Sequence, residues 1–194
     1  MNNKLETKDF VSLALYSALF VALWFISMMI STPFGAMGHQ ISPGIQGIIG
    51  GPLIYFVAHR LGKMWQFSIM WLITMLVFTL MGGGYLPWFI TTMTGAVIAD
   101  LMVSRTGDTS VVKLGVANGI MAVGCAWGSV VPTWFFLESY RAEWIARVMT
   151  AADMDATIVS AQGIMGLLVT VVCFVMGFIG IYIGKAILDK YLNR

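Results

Sequence analysis

The chain has 194 residues, of which 59% are apolar and only 10% are charged, and its formal net charge is +2. Soluble domains carry about 25% charged residues, so this composition excludes an ordinary soluble fold. The small net charge gives no support for nucleic-acid binding. No Asp, Glu, Lys or Arg occurs from Phe10 to Ala58. Because roughly 20 apolar residues cross the hydrocarbon layer as a helix, this run predicts two membrane crossings and a turn.

Six transmembrane helices are predicted along the chain. Their ranges are Phe10–Ile30, Gly44–Ala58, Met64–Met81, Tyr85–Val103, Val112–Leu137 and Thr157–Gly184. A helix satisfies its own backbone hydrogen bonds in lipid, whereas the uniform apolar runs lack the alternation of barrel strands. The first run is longer than the core of a signal peptide, so we expect it to be retained. The sequence therefore predicts an all-α integral membrane protein, with residues 1–194 forming a single six-helix domain.

The basic residues predict the orientation of these helices. With six crossings, one side of the membrane holds Lys4, Lys8, Arg60, Lys63, Arg105, Lys113, Lys185, Lys190 and Arg194, and the other side holds Arg141 and Arg147. Basic residues are enriched in the cytoplasmic segments of membrane proteins. We therefore expect a multi-pass protein of a prokaryotic cell membrane with both termini in the cytoplasm.

Two outer segments are longer than simple connections require. Residues 31–43 are uncharged and include His39 and Gln40. Residues 138–156 have apolar side chains at helical spacing, which predicts an amphipathic outer helix between the fifth and sixth crossings. Those apolar side chains are Trp144, Ile145, Val148 and Met149. Several aromatic residues also fall near this side, where they form either an interfacial belt or the walls of a ligand pocket.

Catalytic motifs are absent from the sequence. It contains no HExxH, GxSxG or Walker A pattern, so we expect no enzymatic activity and no ATPase on this chain. His39 and His59 fall on opposite sides of the membrane, and no metal site is predicted. Asp100 is the one acidic residue near the interior of a crossing, and we expect it to pair with Arg105 or Lys113.

Small residues recur four positions apart on three helices, which is typical of close helix packing in lipid. Glycine pairs occur at 115 and 119, 124 and 128, and 180 and 184. We interpret these pairs as packing contacts within the bundle. Ala14, Ala18 and Ala22 form a similar face on the first helix, where internal packing and docking of another subunit both stay open. For Asn118 and Gln162 two roles stay open: they join helices by hydrogen bonds, or they reach a ligand pocket.

Three local segments carry a family resemblance. They are the opening run from Lys8 to Phe20, residues Ile48–Pro52, and Gly95–Asp100. Together with the length and predicted topology, they resemble the S component of an energy-coupling factor (ECF) transporter, and more specifically the Trep-Strep subgroup. The resemblance covers essentially the whole chain.

The resemblance implies a substrate-capture subunit of an ABC importer. Such a subunit binds a micronutrient outside and docks on a transmembrane coupling (T) component that is powered by two separate ATPase subunits. Carried over to this chain, Ala14, Ala18 and Ala22 would contact the coupling component. Substrate contacts would come from His39, Gln40, Trp88, Trp127, Trp134, Tyr140 and Arg141.

The ligand class stays open at this point. Aromatic walls with Arg141 and Arg147 at the rim would suit a flat anionic ligand such as heme or another tetrapyrrole, with His39 as an axial ligand. A vitamin-like ring compound fits equally, and no cofactor of the protein's own is expected. The alternative functions are a non-catalytic membrane assembly subunit and a membrane enzyme acting on lipid or peptide.

Overall fold

A computed structural model describes residues 5–147 and 149–192. Over this part of the chain there are eight α-helices and no β-strand. The helices are α1 (Thr7–Ser31), α2 (Gly35–Arg60), α3 (Gln66–Leu80), α4 (Leu86–Ala99), α5 (Val111–Phe135), α6 (Leu137–Arg147), α7 (Ala151–Ala161) and α8 (Gly163–Leu192). A 3-10 turn joins α1 to α2, and a π-helical segment, Asp100–Ser104, extends α4. The all-helical prediction is confirmed.

The first two helices form an antiparallel hairpin. The chain reverses at Gly35, whose φ of +57° favours glycine. Ser27 Oγ donates to Gln46 Oε1 at 2.7 Å, and the rings of Tyr16 and Phe56 lie 5.7 Å apart. The predicted start of the second helix at Gly44 is wrong, because α2 begins at Gly35. The first outer segment is therefore largely helical.

Glycines in α2 bring this helix directly against α8. A Cβ on Gly47 would lie 2.7 Å from Gly177 Cα, and one on Gly51 would lie 2.3 Å from the Gly180 carbonyl carbon. Small residues let helix backbones approach closely in lipid, where van der Waals packing drives association. These glycines are contact points with α8, and α2 lies at the centre of the bundle between α1, α5 and α8.

The predicted glycine pairs also pack inside the bundle, as interpreted from the sequence. Those of α5 contact other helices: Gly119 lies against Phe174 of α8, and Gly124 lies against Thr91 and Gly95 of α4. Asn118 Nδ2 donates to the carbonyl oxygens of α2 and α8, which confirms its role in joining helices. The small residues of α2, α5 and α8 are thus used within the protein.

Several helical stretches are long and apolar enough to cross a membrane. Four meet that description: Thr7–Arg60, which contains the α1–α2 hairpin, Leu86–Ser104, Val111–Phe135 and Gly163–Leu192. Helix α3 is apolar but shorter, with 15 residues. The structure therefore agrees with a multi-pass membrane protein.

Asp100 has different partners from those predicted. Its carboxylate accepts hydrogen bonds from the backbone N–H groups of Phe67 (3.2 Å) and Ser68 (2.8 Å), and from two serine hydroxyls. Lys113 pairs with Asp108 at 3.3 Å, and Arg105 is exposed. The predicted pairing of Asp100 with a basic residue is wrong, because the free N–H groups at the start of α3 supply the donors that a carboxylate needs.

The helix predicted between the fifth and sixth crossings is present as α6. Its Tyr140 is buried and packs in a cluster with Met154 and Ile158 of α7. Helix α7 was not predicted, and the last long helix starts at Gly163 after a break, not at Thr157. Three residues used in the sequence predictions, Lys4, Val148 and Arg194, lie outside the described residues.

Candidate ligand-binding cavity

A cavity of about 250 Å³ lies at one end of the bundle. Its walls come from the end of α1, the start of α2, the end of α3, the start of α4, the second half of α5, and α6. These segments meet because successive long helices run in opposite directions. The beginning of α1 and the end of α8 lie at the other end, where Tyr55 donates to Asp189 at 3.0 Å.

One wall belongs to the first turns of α2. His39 and Gln40 line the cavity there together with Ser42. The amide of Gln40 is buried, and its Oε1 accepts a hydrogen bond from Ser129 of α5 while its Nε2 donates to the Thr157 carbonyl oxygen at 3.5 Å. Gln40 therefore ties α2 to α5 and α7 and fixes the position of this wall. His39 is exposed.

The opposite wall is aromatic. Trp24, Phe78 and Trp88 contact one another edge to face, with ring centroids 5.4 to 6.4 Å apart. Trp88 Nε1 donates to Cys125 Sγ at 3.3 Å. A Cβ on Gly128 would lie 2.3 Å from Trp88 Cδ1, so only glycine lets the indole lie directly against α5. These contacts hold three large rings in one arrangement.

Helix α6 closes one side of the cavity. Tyr140 and Trp144 line it from this helix, and Tyr85 lines it from the start of α4. The ring centroid of Tyr85 lies 5.4 Å from that of Tyr140 and 6.0 Å from that of Trp144. Such aromatic pairs are typically worth about 0.5–1.5 kcal/mol beyond their buried area. Helix α6 is therefore held over the cavity by ring contacts.

Two arginines fasten α6 to its neighbours. Arg147 donates to the carbonyl oxygen of Gly84 in the α3–α4 turn and to the carboxylate of Glu143. Arg141 makes a two-point bond with Asp155 of α7, at 2.8 and 3.2 Å, and this hydrogen bond holds the pKa of Asp155 below its usual range. Both guanidinium groups are thus engaged by protein oxygens.

The cavity brings together four of the seven predicted substrate residues: His39, Gln40, Trp88 and Tyr140. The other three lie elsewhere. Trp127 is exposed and donates to Thr170 Oγ1 at 3.0 Å, Trp134 lies beside a separate shallow groove, and Arg141 is bonded to Asp155. Trp127 and Trp134 are on the outward side of α5, which their position in sequence alone did not reveal.

Sequence reasoning missed part of the wall. Trp24 and Phe78 lie within predicted crossings and gave no signal of a ligand site, because apolar aromatic residues there also face lipid. Tyr85 and Trp144 were noted only as residues near the outer side. Many aromatic residues lie at this end of the helices. That clustering is the sequence signal that could have identified these four residues. Gln162 donates to the Thr133 carbonyl at 2.8 Å and does not line the cavity.

No metal cluster accompanies the cavity. Over residues 5–147 and 149–192, no group of three or more His, Cys, Asp or Glu side chains is placed to hold a metal ion. The walls instead combine aromatic rings with a few neutral polar groups. This composition suits the orientation of a small organic molecule.

The small-residue face of α1 lies outside the bundle. Ala14, Ala18 and Ala22 are all exposed, whereas Leu13, Ser17 and Phe20 on the other side of the helix are buried. Further apolar side chains beside the alanines are also exposed, among them Val11, Leu15 and Leu19. Unlike the glycines of α2, α5 and α8, this face has no helix of the described residues packed against it.

Comparison with known proteins decides the family. The family model described as "Hypothetical bacterial integral membrane protein (Trep_Strep)" matches residues 7–194. The chain belongs to the Trep-Strep family. This Trep-Strep protein is therefore a bacterial integral membrane protein, which confirms the predicted Trep-Strep resemblance and the multi-pass membrane location. No curated protein and no solved structure matches this Trep-Strep chain.

Proposed function

We propose that this protein is the substrate-capture subunit of an ECF-type ABC importer. The observation that carries the proposal is the aromatic cavity of about 250 Å³ at one end of an integral membrane bundle. Such a cavity, with neutral polar groups among apolar walls, is suited to hold a small molecule. The protein would bind a micronutrient without altering it chemically, and would act neither as an enzyme nor on nucleic acid.

The proposed topology places the cavity outside the cell. Helices α1, α2, α3, α4, α5 and α8 would make six crossings, with both termini in the cytoplasm and α6 and α7 on the outer surface. The basic residues support this arrangement. Arg60 and Lys63 lie at the junction of α2 and α3, and Lys113 lies near the start of α5. All three are at the end of the bundle remote from the cavity, where basic residues are expected to be cytoplasmic. The ligand would then enter from the outer side, beneath α6.

The cavity favours a vitamin-like ring compound over heme. Its volume of about 250 Å³ lies below the usual range of roughly 300–1,000 Å³ for drug-sized ligands. A tetrapyrrole is much larger than this space and would require α6 to move away. We therefore propose a compact ligand of one or two rings.

The exposed alanine face of α1 would dock on the coupling component. Small side chains allow a partner helix to approach closely within the membrane, and Ala14, Ala18 and Ala22 form the corresponding stripe. ATP hydrolysis would take place on two separate ATPase subunits. A non-catalytic assembly subunit would use the same alanine face but would need no cavity. A measurement of ligand binding therefore distinguishes a capture subunit from an assembly subunit.

Substituting Ala18→Trp tests the docking part of the proposal. The side chain is exposed, so the fold and ligand binding should persist, while the large indole holds the partner helix away. We expect co-purification of the coupling and ATPase subunits from bacterial membranes to fall at least about tenfold, which corresponds to ~1.4 kcal/mol. The control is Val171→Trp, which places the same side chain on an exposed position of α8. Equal co-purification of both variants would contradict this docking face.

A further inference from the structure

The polar side chains of the cavity wall carry amide, hydroxyl, imidazole and indole groups. They include His39, Gln40, Ser42, Tyr85, Ser129 and Tyr140.

Several of these groups bond within the protein. Ser129 donates to Gln40 Oε1, and Ser42 Oγ donates to the His39 carbonyl oxygen at 2.9 Å. The indole N–H of Trp88 is bonded to Cys125. These bonds hold the polar side chains of the wall in place.

No fixed charge lines the cavity. Its wall contains no Asp, Glu, Lys or Arg. The nearby guanidinium groups are committed elsewhere, Arg147 to Gly84 and Glu143, and Arg141 to Asp155. A carboxylate or phosphate in this space would lose its hydration without gaining a paired cation.

The aromatic rings define the shape that fits. Trp24, Phe78 and Trp88 on one side, and Tyr85, Tyr140 and Trp144 on the other, leave about 250 Å³ between them. Burial raises the pKa of Tyr140, so its phenol stays neutral at physiological pH. A flat ring gains most from such walls, since aromatic groups pack favourably by offset stacking or edge-to-face contact.

From these observations we infer that the ligand is an uncharged, planar ring compound of one or two rings, held by stacking and edge-to-face contacts with the aromatic walls. This inference rests on the proposed capture function and specifies its substrate class. It replaces the flat anionic ligand suggested by Arg141 and Arg147 in the sequence, because both of these residues are paired with carboxylates of the protein.

A matched pair of two-ring probes tests this inference. Quinoline-3-carboxamide and quinoline-3-carboxylate have nearly the same shape but differ by one negative charge. Isothermal titration calorimetry on the full chain in mild detergent would compare their affinities. We expect the amide to bind at least about tenfold more tightly than the carboxylate, since burying an unpaired charge is strongly unfavourable.

Aromatic variants identify the walls that hold the ligand. Trp144→Leu and Trp88→Leu each remove one ring from the cavity wall, and each should weaken binding of the amide about tenfold. Trp127→Leu is the matched control, because its indole lies outside the cavity and bonds to Thr170. Thermal unfolding of each variant shows whether the fold is kept. Trp144 belongs to a surface helix, so its variant serves if Trp88→Leu does not fold.

Three results would overturn the inferred ligand class. They are equal or tighter binding of the carboxylate, no binding of either probe up to its solubility limit, and unchanged amide affinity in folded Trp144→Leu. Tighter carboxylate binding would leave ligand capture in place and remove only the neutral class. Failure of the proposed transport function is seen separately, as co-purification of coupling subunits that is unaffected by Ala18→Trp.

Discussion

Individual polar residues join helices that otherwise associate through small side chains. Asn118 of α5 is buried, and its Nδ2 donates to the carbonyl oxygen of Gly47 at 2.9 Å and to that of Gly177 at 2.7 Å. The amide therefore links α5 to both α2 and α8, the two helices that pack glycine on glycine. Interhelical hydrogen bonds in membrane proteins are worth about 0.6 kcal/mol each on average.

Replacing this amide should weaken the bundle. We expect Asn118→Ala to lower the free energy of unfolding by about 1 kcal/mol, because two interhelical hydrogen bonds of roughly 0.6 kcal/mol are removed. Unfolding in mixed micelles with increasing sodium dodecyl sulfate would measure the change. Thr94→Ala is the control, since the exposed Thr94 hydroxyl donates only to Ile90 of its own helix. Equal stability of the two variants would argue against the joining role of Asn118.

At the scale of elements, helix α6 is held in place by few interactions. Its ring contacts with Tyr85 are supported by Arg147, which reaches the carbonyl oxygen of Gly84 in the α3–α4 turn. Exposed ion pairs contribute little to global stability, typically 0–1 kcal/mol. The Arg147 contacts therefore influence the local opening of α6 more than the stability of the bundle.

Loss of the Arg147 contacts should loosen α6 alone. In Arg147→Gln we expect amide hydrogen exchange to become several-fold faster in residues 137–147, because the helix loses its bond to the α3–α4 turn. Exchange in α5 and α8 should stay unchanged. Lys113→Gln is the control. It removes an exposed ion pair with Asp108 at the opposite end of the bundle, so hydrogen exchange in α6 should stay unchanged. Unchanged exchange of α6 in Arg147→Gln would contradict this attachment.

For the whole molecule, the apolar composition predicted the helices, whereas the sequence did not predict which side chains pair. The absence of charge between Phe10 and Ala58 predicted a pair of apolar helices, and the structure has the α1–α2 hairpin there. The same run did not indicate that α2 begins at Gly35, since the glycines and prolines of residues 31–43 usually indicate a loop. The bonds of Gln40 to α5 and α7, which hold this part of α2, become visible only once the helices are packed.

Part of the cavity was also predictable. The family resemblance implied His39, Gln40, Trp88 and Tyr140 as substrate contacts, and all four line the cavity. Trp127 was not distinguishable from them, since the direction in which a side chain points on α5 depends on which neighbours the helix packs against. The pairing of Arg141 with Asp155 likewise required α7, whose presence the sequence did not indicate.

The most direct test of ligand capture is native mass spectrometry of the purified chain after incubation with the small-molecule fraction of bacterial culture. We predict that the wild-type chain retains a small organic molecule and that Ala126→Phe retains none, because Ala126 lines the cavity and the added ring fills it. Val171→Phe, on the exposed side of α8, should bind as wild type does. A wild-type chain that stays empty, or a folded Ala126→Phe chain that carries the same molecule, would contradict capture in this cavity.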